Sequence, residues 1–134
     1  MEYDTVVLGR RSIRGYLPKP VPTGLIKEVL AIAMRAPTSL NTQPWNFYVL
    51  AGEVLERIRA GNTERNLAGV PDSREFRNHG AYEGVHRERQ IGIAKQLFQA
   101  MSIERYDKEA RQEWVLRGFR QFDAPVSVVV TYDR

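Results

Sequence analysis

The chain has 134 residues, 43% hydrophobic and 27% charged, with a net charge of +4. This is one domain's worth of ordinary globular composition, which excludes disordered and fibrous classes, and its apolar runs fall far short of the roughly 20 residues needed to cross a bilayer. The absence of cysteine excludes disulfides and thiolate chemistry, and the two histidines, His79 and His86, are too few for a histidine-rich metal site.

The N-terminus carries no apolar signal core, so a cytoplasmic protein is expected. Sixteen arginines stand against four lysines, a bias that suits fork-like recognition of phosphate or carboxylate. The basic residues from Arg105 to Arg120 are interleaved with Asp107, Glu109 and Glu113. That pattern reads as a solvated helix face, and no nucleic-acid motif accompanies it, so neither nucleic acid nor a membrane is expected as a partner.

In chain order, residues 2 to 11 can form a short helix, and Gly15, Pro18, Pro20 and Pro22 then break regularity before Thr23 offers a helix N-cap. Leu25, Ile26, Val29, Leu30, Ala33 and Met34 recur at helical spacing and predict a core-facing helix ended by Pro37. After the polar loop Thr38 to Gln43, the aromatic and β-branched run Trp45 to Ala51 predicts a strand closed by Gly52. A short amphipathic helix from Glu53 to Ala60 should end near Gly61, and pattern is lost from Leu67 to Gly84, a long stretch that reads equally as a loop covering a site or as simple disorder. Helical spacing resumes at Ile91, Ala94, Leu97, Phe98 and Met101, and again after Asp107 from Ala110 to Phe122. Val126 to Tyr132 is nearly continuous in apolar residues and predicts a strand buried on both faces. Such a strand needs layers above and below it and more neighbours than one other strand supplies, so the sheet is expected to be completed by a partner chain or by the rest of a longer protein.

Two clusters carry candidate chemistry. In Arg10-Arg11-Ser12-Ile13-Arg14 a helix gives way to an extended segment, so Arg10, Ser12 and Arg14 can converge on a phosphate while Ile13 turns inward as an anchor. Taken alone, these five residues are better explained by an exposed basic segment. In Pro37-Thr38-Ser39-Leu40-Asn41-Thr42-Gln43-Pro44, a loop fixed between two rigid elements, the hydroxyls and amides of Thr38, Ser39, Asn41 and Gln43 match the polar edge of a heterocycle or a sugar-like chain. The plainer alternative is a helix-to-strand turn whose side chains satisfy backbone amides. No Ser-His-Asp set, carboxylate dyad or metal cluster is apparent. Phe76, Tyr82, His79 and His86 in or beside the long loop read as packing or surface residues, and Trp114, Phe119 and Phe122 as core or interface.

Taken together and in order, Arg10 to Arg14, Val21-Pro22, Ala36-Pro37-Thr38-Ser39 with Asn41 and Gln43-Pro44-Trp45, Phe47 to Leu50, and later Phe122-Asp123-Ala124-Pro125-Val126 resemble the N-terminal signature of the nitroreductase family. The resemblance implies a single α+β domain over residues 1–134, with a three-layer α-β-α fold whose sheet is incomplete in this chain, because the family's chains are longer. It implies a homodimer with FMN at the interface, reduced by NADH or NADPH, and a small aromatic acceptor such as a nitroaromatic or quinone. Arg10, Ser12 and Arg14 would hold the FMN phosphate and ribityl chain, Arg11 would add a contact, and Asn41 and Gln43 would also bind FMN. Pro37, Thr38 and Ser39 would reach the flavin bound mainly by the other subunit. With the flavin carrying the chemistry, no catalytic side chain and no metal is implied. In relatives the second half adds strands, a backbone donor near the flavin's reactive nitrogen, further basic contacts and a crossing C-terminal extension. The alternative is a catalytically inactive flavin-binding or dimerising remnant.

Overall fold

Strand propensity is concentrated in two seven-residue runs, and a computed structural model of the chain, which describes residues 2–71, 73 and 80–132, pairs them. β1 (Trp45–Ala51) and β2 (Val126–Tyr132) lie antiparallel, with Trp45 opposite Tyr132 and Ala51 opposite Val126. Both match the predicted bounds, as expected where β-branched and aromatic residues dominate. Around them run α1 (Tyr3–Gly9), α2 (Thr23–Ala33), α3 (Gly52–Leu67), α4 (Gly84–Ala100) and α5 (Lys108–Phe119), with 3₁₀ turns at Ser39–Asn41 and Gln121–Asp123. Helices packed against a small antiparallel sheet give the expected α+β class.

α3 packs on both strands and α5 packs on α3. The core lies at that joint, where Leu55 of α3, Leu116 of α5 and Ala124 before β2 are 1%, 7% and 8% exposed. Arg59, one turn after Leu55, is buried with them. Its Nε donates to the Arg120 carbonyl at 2.9 Å, one terminal nitrogen donates to the Ala124 carbonyl, and the other pairs with Glu56. Nearby, Asn62 Nδ2 donates to the Phe119 carbonyl at 3.1 Å. A single guanidinium thus satisfies carbonyls on both sides of the 121–123 turn.

Element lengths differ from expectation where glycine misled. α3 passes through Gly61 to Leu67 and is closed off by Gly69, whose φ is +66°. There the Val70 amide reaches the Arg65 carbonyl and the Gly69 amide the Asn66 carbonyl, both at 3.0 Å, the paired bonds of a Schellman cap. α4 begins at Gly84, a full two turns before the periodicity does, because its first turns are exposed on all sides and record no core face. α5 stops at Phe119, since Gln121, Phe122 and Asp123 all have φ between 52° and 55°. Pro22 takes the N-cap position of α2, with Thr23 as the first helical residue and no side-chain cap. The predicted loop runs between α3 and α4, and Phe76 and His79 lie outside the described residues.

Burial departs further. Val128, Val129 and Val130 of β2 are 41%, 44% and 58% exposed, so the strand is not covered on both faces: among the described residues the helix packed against it is α3. α2 is not core-facing either; it has no buried residue, and Leu25 and Val29 are more than half exposed because among the described residues no other element covers it extensively. The chain exposes 11931 Å², whereas a compact monomer of 15.4 kDa exposes about 7,200 Å².

Candidate functional site

The arginine-rich pentapeptide leaves α1 as extended backbone. Arg10 caps the helix, its amide donating to the Val6 carbonyl at 3.1 Å, and its side-chain Nη1 donates to Ser12 Oγ at 3.4 Å. These two predicted residues are therefore brought side by side. Arg11 turns the other way: its Nη1 donates to the Leu8 and Arg10 carbonyls at 2.8 and 2.9 Å, neutralising the negative end of the helix. Ile13 is 59% exposed and does not turn inward. Arg14 continues the segment, its Cζ 6.0 Å from the centre of the Phe122 ring. All five residues are exposed, and among the described residues neither Arg10 nor Arg14 joins an ion pair.

The second cluster is a tight corner. Thr38 Oγ1 accepts from the Gln43 amide at 3.1 Å, and Gln43 Nε2 donates to Asn41 Oδ1 at 3.0 Å. The Thr38 and Ser39 carbonyls accept from the Asn41 and Thr42 amides, each at 3.1 Å. Leu40, Asn41 and Gln43 have φ of 50°, 57° and 47°, a left-handed backbone that side-chain-bearing residues adopt where the surroundings enforce it. Part of the polar set thus serves the turn, as the plainer alternative held. The remaining amide hydrogens of Asn41 and Gln43 and the Gln43 carbonyl oxygen still face outward on exposed residues. No hydrogen bond joins this corner to residues 10–14 among the described residues.

Arg14 also borders a groove of about 640 Å³ between α4 and α5, shared with Gln90, Leu97, Trp114, Gly118 and Phe122. A larger groove of about 910 Å³ on the other side of α4 is lined by Arg87, Phe98, Arg105 and Arg111 and by none of the predicted residues. At the corner after α5, Arg120 pairs with Glu113 at 2.6 Å and Asp123 at 3.2 Å. The hydrogen bond it donates to Glu113 first, and the weaker pull of Asp123, raise its pKa above the ordinary guanidinium value against the opposing effect of burial. Sequence reading missed the framework residues Arg59, Arg117 and Asn62. The signal available for Arg59 was a charged residue four places after Leu55, on the stripe that faces the core.

A family model described as "Nitroreductase family" matches residues 7–134. A nitrobenzene nitroreductase from Ectopseudomonas oleovorans is 39% identical over 98% of this chain, and a chloronitrobenzene nitroreductase from Comamonas testosteroni is 37% identical over the same share; each match spans 59% of the relative. Among solved structures, the FMN-dependent nitroreductase NfnB from Mycobacterium smegmatis in complex with NADPH superposes with a TM-score of 0.87 at 25% identity, over 96% of this chain and 58% of that one. This chain therefore spans somewhat more than half the length of the relatives it matches.

Proposed function

This chain belongs to the nitroreductase family, and from that premise we propose that it serves an FMN-dependent oxidoreductase that carries reducing equivalents from NADH or NADPH to a nitroaromatic, quinone or similar acceptor. The observation that carries the reading is the hydrogen-bonded pair of Arg10 and Ser12 on an exposed segment with Arg14, two guanidinium groups having no carboxylate partner among the described residues. A guanidinium bonded to a hydroxyl, with a second guanidinium two residues further along the same exposed segment, offers donors of the kind a phosphate monoester takes, so these residues fit FMN.

FMN, when bound, supplies the ring that accepts and donates hydride. The chain's own residues then have defined tasks. Arg10, Ser12 and Arg14 neutralise and orient the phosphate and ribityl end. Asn41 and Gln43 offer amide donors and an acceptor in an orientation fixed by their mutual hydrogen bond. Thr38 keeps that corner closed through the Gln43 amide, and Pro37 and Ser39 would reach a flavin held mainly by a second subunit. Arg11, engaged with the end of α1, assists by holding the segment's start rather than by offering its Nη1 to the cofactor.

A homodimer accords with the surface. The chain exposes roughly 4,700 Å² more than a compact monomer of its mass, more than the about 1,000–2,500 Å² that each partner contributes to an obligate interface. Leu8, Leu25, Val29 and Ile32 along α1 and α2 are among the exposed apolar residues. In the described residues no helix is long and apolar enough to cross a membrane. The test is the visible absorbance of the purified chain before and after anaerobic NADH or NADPH. A yellow protein that bleaches supports the proposal, whereas bound flavin that no nicotinamide bleaches replaces it with the inactive flavin-binding module.

A further inference from the structure

Among the described residues, residues 11–16 make no backbone-to-backbone hydrogen bond with a strand or helix, and one side-chain hydrogen bond ties them to a distant element. Arg117, in the last turn of α5, donates from Nη2 to the Arg14 carbonyl at 2.9 Å across 103 positions. The Arg117 guanidinium lies over the Trp114 ring, 5.2 Å from its centre. Trp114 meets the Phe122 ring at 6.1 Å with an inclination of 52°, and Phe122 in turn underlies the Arg14 guanidinium. Phe122 is presented by the left-handed turn 121–123, and Arg59 brackets that turn from both sides through the Arg120 and Ala124 carbonyls. Backbone and side chain of Arg14 are thus held from one corner, the backbone by a charge-assisted hydrogen bond and the cation by an aromatic face.

We infer that Arg117 and Phe122, carried on the turn that Arg59 braces, are positioning residues for Arg14, fixing it in the orientation that meets an anionic cofactor. A free arginine loses much rotamer freedom when it binds, and an arginine ordered beforehand does not lose it again. The inference rests on the proposed role of Arg14 in holding FMN.

Two measurements test it. Arg117→Met keeps the apolar stem on Trp114 and removes the donor. Trypsin should then cut after Arg14 roughly tenfold faster, matching the loss of one charged hydrogen bond, with cutting after Arg35 unchanged; Phe122→Leu should act in the same direction. Acceleration at every site, or none after Arg14, overturns the tether, and this assay needs no flavin. The second measurement is FMN affinity by fluorescence quenching in a double-mutant cycle. Arg117→Met should weaken FMN about tenfold in the native background and scarcely at all beside Arg14→Ala. Equal weakening in both backgrounds overturns positioning through Arg14. No effect of Arg14→Ala alone instead overturns the FMN role of Arg14, while the tryptic result still decides the tether.

Discussion

Replacing Arg59 with methionine preserves the length of the side chain and strips its donors. The structure sets the scale. Arg59 is 8% exposed and its hydrogen bonds to the Arg120 and Ala124 carbonyls join α3 to the corner before β2. Each bond from a charged donor contributes about 1.5–3 kcal/mol, so losing both should cost about 3–6 kcal/mol, a large part of the 5–15 kcal/mol typical of a whole domain. With a urea m-value near 2 kcal/mol/M, the midpoint should fall by about 2 M at unchanged slope. Intrinsic fluorescence is a suitable probe because Trp114 packs against Phe122 in that corner. Glu56→Gln should cost less than about 1 kcal/mol, since the carboxylate is 66% exposed. Arg59→Lys should recover less than half of the loss, because one ammonium cannot span carbonyls on both sides of the turn. A cost below about 1 kcal/mol for Arg59→Met would refute the brace.

Other substitutions probe the remaining features. Arg10→Ala combined with Arg14→Ala should abolish FMN retention on a desalting column, at about 1.5–3 kcal/mol per charged contact; unchanged retention would remove both residues from the site. Thr38→Val, which keeps the shape but loses the acceptor for the Gln43 amide, should lower stability by about 1 kcal/mol, seen as a drop of a few degrees in Tm. Gly69→Ala should cost about 1–2 kcal/mol because its φ of +66° suits glycine, and circular dichroism should show loss of the last turn of α3. Leu40→Gly should raise stability by up to about 1 kcal/mol, since Leu40 has φ +50° and is 95% exposed; a loss instead would mean that the leucine packs against a surface outside this chain.

Local chemistry was the legible part. The strands were read at their true bounds because Trp45–Ala51 and Val126–Tyr132 declare themselves by residue type. The arginine and amide clusters stood out because polar groups with phosphate or heterocycle complementarity gather there at short spacing. Helix ends were misread where the deciding fact was conformational: Gly61 sits inside α3 while Gly69, with positive φ, ends it. Burial was misread for a different reason. Apolar periodicity in α2 and β2 says that a face needs covering, not that the same chain covers it. Arg59 escaped notice because arginines are ordinarily exposed, and its value depends on carbonyls more than sixty positions away.

The two-stranded sheet has a consequence for handling the protein. Each strand uses one edge for its partner and leaves the other edge without a strand among the described residues. β2 reads Val-Ser-Val-Val-Val-Thr-Tyr, a seven-residue stretch without charge, proline or glycine, which is the composition on which identical chains stack into cross-β ladders. The chain at high concentration should therefore aggregate through this strand. A lysine at Val129 or Val130, whose side chains are already 44% and 58% exposed, would act as a gatekeeper against stacking and keep the chain dispersed.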